Sequence, residues 1–170
     1  MHQRVGGQAV NKQEQVEMSF RNLLNKIVLL NKFKMKDSLQ GHSSFEVHCI
    51  ETIGRNADSN VTKLAASFYV TRGAISKITQ KLIKKGIIES YQRPDNKKEI
   101  YFRLTEQGNA INDIHAELHK EFQERDKVVF EQITEEQFDS ILGFVEKYCR
   151  HLDAEIIKLG VDLTSGNDFE

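Results

Sequence analysis

The sequence has no tryptophan, a single proline (Pro94) and two cysteines, and each shortage removes a class of answer. With one proline and ten glycines in 170 residues, long stretches run without a helix breaker, which favours a mostly helical chain. Cys49 and Cys149 form no CxxC pair, so neither a disulfide framework nor a thiolate zinc ribbon is indicated. No apolar run approaches the roughly 18 residues that a membrane-spanning helix needs, and MHQRVGGQAVNK carries no hydrophobic signal core. The expectation is a soluble, cytoplasmic protein with no membrane partner. Phosphate-loop, nucleophile and glycine-rich nucleotide motifs are also missing, so a binding protein is expected and not an enzyme.

What is present is a hydrophobic content of 39%, sufficient for the core of one ordinary domain, and an uneven charge. The chain carries a net charge of −1, yet Arg72 to Arg103 holds nine basic side chains against three acidic ones, a local balance of +6. A basic block inside an acidic protein is the footprint of a surface that meets a polyanion.

Apolar residues at Val16, Phe20, Leu23, Leu24, Ile27, Leu30 and Met35 are spaced by threes and fours, predicting an amphipathic helix over 13 to 37. Ser43-x-x-Glu46 has the spacing of a capping box and opens a second helix that ends near Gly54. VTKLAASF predicts a short helix over 61 to 68. Thr71 opens another that runs to Lys85 and stops at Gly86. Two β-prone runs follow, Ile87 to Gln92 and Ile100 to Leu104, around a polar tip of Pro94, Asp95 and Asn96, which predicts a hairpin. Thr105 caps a long helix to about Phe130, and Thr134-x-x-Gln137 caps another to about Leu159.

On the helix from Thr71 to Lys85, Arg72, Gly73, Ser76, Lys77, Gln80 and Lys84 fall within an arc of roughly 140°. Val70, Ile75, Ile78 and Leu82 take the opposite side, and Ile83 fits neither set well and is expected to pack on the hairpin. The polar arc combines a glycine for close approach, hydroxyl and amide groups for base edges, and cations for phosphates. Thr71, Arg93, Lys97 and Lys98 complete the candidate DNA-binding set, with the two lysines placed on the hairpin tip where they can reach a phosphate or the minor groove. The fold class is therefore mainly α with a small β wing, a winged helix-turn-helix.

Residues 61 to 108 resemble the DNA-binding core of the MarR family of bacterial transcriptional regulators. The matching features are Leu64-Ala65, Ser76 in the recognition helix, the Leu82 to Ile87 helix end, and Leu104-Thr105 to Gly108 closing the wing. Where the family has Asp-x-Arg at the wing tip, this chain has Asn96-Lys97-Lys98, and lysine lacks the planar fork of arginine. The resemblance implies a winged helix-turn-helix over 43–104, a helical dimerisation region from 13–42 and 105–159, and a homodimeric repressor on a pseudo-palindromic operator. Residues 1–12 and 160–170 carry few packing groups and are expected to be flexible ends. An apolar stripe from Phe138 to Leu159 independently suggests a helix that needs a partner surface. The alternative is a winged-helix module that binds protein and has no specific DNA site.

The resemblance also implies control by a small ligand, a cysteine oxidation or a metal ion. Cysteine sensing is disfavoured because neither cysteine lies in the first helix. His115 and His119, at i and i+4, occupy one side of their helix, close enough for both imidazoles to reach one ion. Similarity to the family's zinc-responsive branch adds His48 as a third ligand and zinc as the effector. Asp37, His42 and Glu51 are open alternatives for the remaining ligand, or none completes the set.

Overall fold

The computed structural model describes residues 11–39 and 41–159. It separates into two compact units that divide between Gln40 and Gly41. The expectation of flexible ends falls mainly on residues 1–10 and 160–170, which lie outside the described ones.

The first unit is helix α1, Lys12–Ser38. Asn11 caps it by accepting the amide of Gln13 at 3.2 Å, which satisfies one of the donors left over at a helix start. Leu23, Leu24, Val28, Leu29, Leu30 and Phe33 are all exposed on it.

In the second unit, α2 (Ser44–Arg55) opens on the expected capping box, with Ser43 and Glu46 serving each other's backbone amides. Strand β1 (Ser59–Asn60) follows, then α3 (Val61–Phe68) and α4 (Arg72–Lys84). Strands β2 (Ile88–Arg93) and β3 (Asn96–Leu104) form the wing, and α5 (Glu106–Phe130) and α6 (Glu135–Lys158) complete the unit. The three strands are antiparallel in the order β1-β3-β2. Val47, Cys49, Ile50, Leu64, Ile75, Leu82, Ile87 and Leu118 are among the residues of the core beneath α4 and the wing. No helix among the described residues is long and apolar enough to cross a membrane.

Both helices of the turn motif end alike. Gly86, at φ +69°, donates to Ile83, and Ile87 donates to Leu82 at 3.0 Å. This is a Schellman end, which needs a left-handed residue. At the end of α3 the left-handed position is Tyr69, φ +52°, with Val70 donating to Ala65 at 3.1 Å.

Leu104-Thr105 to Gly108 has an equally local meaning. Thr105 Oγ1 accepts the Gly108 amide and donates to the carbonyls of Gly86 and Ile87, tying the start of α5 to the end of α4. A Cβ on Gly108 would run into the Ile87 carbonyl oxygen, so the close approach requires glycine.

Three features depart from the sequence expectations. Strand β1 was not anticipated, because two residues carry no periodicity. The second wing strand starts at Asn96, so Lys97 and Lys98 stand on β3 and not in the tip, which narrows to Pro94–Asp95. The strand extends that far because Gln92 Nε2 donates to the Lys97 carbonyl at 2.8 Å and the Asn96 side chain accepts the Lys98 amide at 3.1 Å. Ile83 remains 39% exposed and does not find cover on the hairpin.

Candidate functional site

Helix α4 buries Ile75, Thr79 and Leu82 and turns Arg72, Lys77, Gln80 and Lys84 to the exterior, with Gly73 and Ser76 half-buried between them. Thr71 Oγ1 accepts the Ala74 amide at 3.1 Å, so this hydroxyl is the helix cap before it is anything else.

The wing is braced toward its tip. Asp58, itself left-handed at φ +57°, accepts from Tyr91 Oη and from Arg93 NH1, each at 2.9 Å. Arg93 also holds Asp95 in a two-pronged pair, Nε and NH2 both at 3.0 Å. Asn60 links the wing to the helix pair: its Oδ1 caps α3 through the Lys63 amide at 2.8 Å, while its Nδ2 donates to Glu99 at 3.1 Å.

These contacts divide the nine basic side chains of the segment into two sets. Lys81 and Lys85 pair with Glu46, Arg93 with Asp58 and Asp95, and Arg103 with Glu89. Arg72, Lys77, Lys84, Lys97 and Lys98 make no ion pair among the described residues. The unpaired cations therefore lie on the polar arc of α4 and on β3. Unpaired surface cations keep their full field and their condensed-anion affinity, whereas paired ones are largely neutralised. Of the candidate DNA-binding residues, Arg93 alone has its guanidinium engaged by carboxylates.

A second cluster lies where α2 faces α5. Glu51 Oε1 pairs with Arg55 at 2.7 Å, and its Oε2 sits 3.6 Å from both His48 Nδ1 and His115 Nδ1. The three ligand atoms of His48, Glu51 and His115 lie within 4.8 Å of one another. His115 is 1% exposed, and its Nδ1 has no hydrogen-bond partner. Its other nitrogen, Nε2, is 3.1 Å from His119 Nε2. The structure thus gathers His48 and Glu51 on the Nδ1 side of His115 and puts His119 on the Nε2 side. His42, by contrast, lies beside Glu46 at 3.9 Å. Asp37 belongs to α1 in the other unit.

Residues 43–100 match the model described as MarR family. HTH-type transcriptional regulator PchR of Bacillus subtilis (strain 168) is 36% identical over 109 residues, and the match covers 64% of this chain and 64% of PchR. YhjH of the same strain, also an HTH-type transcriptional regulator, is 35% identical over 107 residues, 63% of this chain and 59% of YhjH. The matched segment thus spans less than two thirds of the length of these relatives. Among solved structures, Streptococcus pneumoniae FabT in complex with DNA superposes with a TM-score of 0.73 at 19% identity, covering 84% of this chain and 99% of that one. Adhesin competence repressor (AdcR) from Streptococcus pyogenes gives 0.65 at 20% identity, covering 80% and 96%. At such identities the likeness to these structures is one of fold.

Proposed function

Because the chain belongs to the MarR family through its winged-helix core, we propose that it is a DNA-binding transcriptional regulator that reads duplex DNA with α4 and the β2–β3 wing. The observation that carries this reading is the separation of cations: Arg72, Lys77 and Lys84 on the polar arc of α4 and Lys97 and Lys98 at the start of β3 have no carboxylate partner among the described residues, whereas Lys81 and Lys85 beside that arc, Arg93 on β2 and Arg103 near the other end of β3 each have one. A merely solvated charged face has no reason to sort its ion pairs in that way. Arg72, Gly73, Ser76, Lys77 and Gln80 would meet the major groove, and Lys84, Lys97 and Lys98 the phosphates or minor groove. Thr71 and Arg93 would act first by shaping α4 and the wing.

The functional form is a homodimeric repressor on a two-fold operator. Supporting it are the apolar side chains exposed on α1 and on α6, among them Ile141, Leu142, Val145 and Leu152, a feature of surfaces that meet a partner. A two-fold pair of α4 helices would enter successive major grooves.

Binding of a duplex carrying the gene's own upstream sequence, followed by fluorescence anisotropy over a range of salt, tests the reading. Lys77→Ala with Lys98→Ala should weaken binding and lower the log–log salt slope by about one per lost phosphate contact, while Arg103→Ala should leave the slope unchanged. Weak, sequence-independent attachment would favour a protein-binding module instead.

Control by a metal ion is supported by one geometric feature, the buried and unpartnered Nδ1 of His115 aimed at the Glu51 carboxylate and His48. Imidazole and carboxylate donors in that combination suit zinc. His48, Glu51 and His115 would hold the ion, with His119 orienting His115 from its other nitrogen, and occupancy would join α2 to α5. A small organic effector is the alternative form of control.

A further inference from the structure

We propose that Glu46 is a positioning residue for DNA reading, a buried carboxylate that grips Lys81 and Lys85 and thereby fixes the C-terminal half of α4 against the start of α2. The proposal rests on the reading of α4 as the helix that enters the groove.

Glu46 is 2% exposed. Its Oε2 accepts the Ser43 amide at 2.9 Å and lies 3.5 Å from Lys85 Nζ. Oε1 is 2.6 Å from Lys81 Nζ. Lys85 is further held by the Gly41 carbonyl at 2.8 Å. Lys81 and Lys85 are one helical turn apart and therefore neighbours on the helix surface. At about 100° per residue they fall just beyond the arc of Arg72, Ser76, Lys77, Gln80 and Lys84. The grip is thus on the flank of α4, beside the face offered to DNA.

Helix capping does not account for the charge. A capping box needs one side-chain oxygen at its third position, which glutamine supplies as well as glutamate. This chain shows the neutral version in α6, where Gln137 serves Thr134. A carboxylate withdrawn from water is costly unless paired, so an ionised group at position 46 makes sense with its cations present. Burial pushes the Glu46 carboxyl up, but Lys81, the Ser43 amide and Lys85 outweigh it and hold the carboxyl below its ordinary value. Displacing α4 from α2 would strand that charge, and this restrains the angle at which α4 is presented. The same pairing withholds Lys81 from phosphates.

Glu46→Gln keeps the cap and removes the grip. Expected is an unchanged helical circular dichroism spectrum, retained binding to random duplex, and at least a tenfold fall in preference for the upstream duplex over the random one. Lys81→Met, at an exposed position, should lower that preference in the wild-type background, leave the salt slope unchanged, and add nothing in the Glu46→Gln background. A merely stabilising role would lower the melting temperature and leave the preference intact. The proposal is overturned if Glu46→Gln discriminates as wild type does, or, should that variant not fold, if Lys81→Met reduces the salt slope by about one. Absence of any preference in the wild type would instead remove the DNA reading, and this proposal with it.

Discussion

The Nε2 atoms of His115 and His119 lie 3.1 Å apart, a separation at which one neutral imidazole donates and the other accepts. Two imidazolium rings would meet there with donors only. Burial, with smaller contributions from His119, His48 and Arg55, pushes His115 down to about 4 despite the opposing Glu51 carboxylate.

That shift makes stability depend on pH in a stated direction. Unfolded, the histidine takes up its proton near pH 6.5, and folded it resists until about 4. Between those values the unfolded chain binds more protons, so stability is full above about pH 6.5 and is lost as the pH falls toward 4. Melting temperatures measured in chelator should drop over that window, and His115→Gln should flatten the drop. Some slope should survive in the variant, because burial and Lys85 also hold His42 below its ordinary value. Identical profiles for wild type and variant would contradict the assignment.

Metal binding can be apportioned between the two sides of the His115 ring. Protein stripped with EDTA and titrated with zinc should take up one ion per chain. His48→Ala and Glu51→Ala should abolish uptake, whereas His119→Ala, acting through the second nitrogen, should weaken it by about 10–100-fold. No uptake by the wild type, or uptake indifferent to His48 and Glu51, would refute the site.

Gly108→Ala should be severely destabilising, by about 2 kcal/mol or more, because the new methyl meets the Ile87 carbonyl and neither backbone can yield without breaking the Thr105 bonds. Asn109→Ala, at the exposed neighbouring position, should stay within about 0.5 kcal/mol of wild type. Urea denaturation of the two variants side by side decides it.

Asp58→Ala removes the acceptor of both Tyr91 and Arg93. The fold should persist with a loss of about 1 kcal/mol, while amide exchange in β2 and the wing turn accelerates and DNA affinity falls alike for all sequences. Unaltered exchange in the wing would show that Asp58 does not brace it.

The helices were legible in the sequence because their signals are local. Ser43, Thr71, Thr105 and Thr134 each cap the helix they were expected to cap, and Gly86 ends α4 in the left-handed conformation that glycine adopts without strain. The unit from Leu104 to Gly108 was recognisable for the same reason, since a helix cap and a close backbone approach leave fixed residue types at fixed offsets.

What the sequence could not decide depends on residues far apart in the chain. Strand β1 exists only because Ser59 pairs with Phe102 and Asn60 with Tyr101. Nine basic residues within one segment looked alike until the fold brought Glu46 to Lys81 and Asp58 to Arg93, so the division into paired and unpaired cations is a tertiary fact. The histidines show the same limit: an i,i+4 spacing sets His115 beside His119, but the packing of α2 on α5 determines that His48 and Glu51 face the opposite nitrogen of the same ring. Sequence alone determined the helices, their caps and the basic character of the reading segment, because neighbours in the chain carry those signals. Tertiary structure decided which charges remain unpaired and which ligands converge, because pairing energies act between atoms a few ångströms apart whatever their separation in sequence.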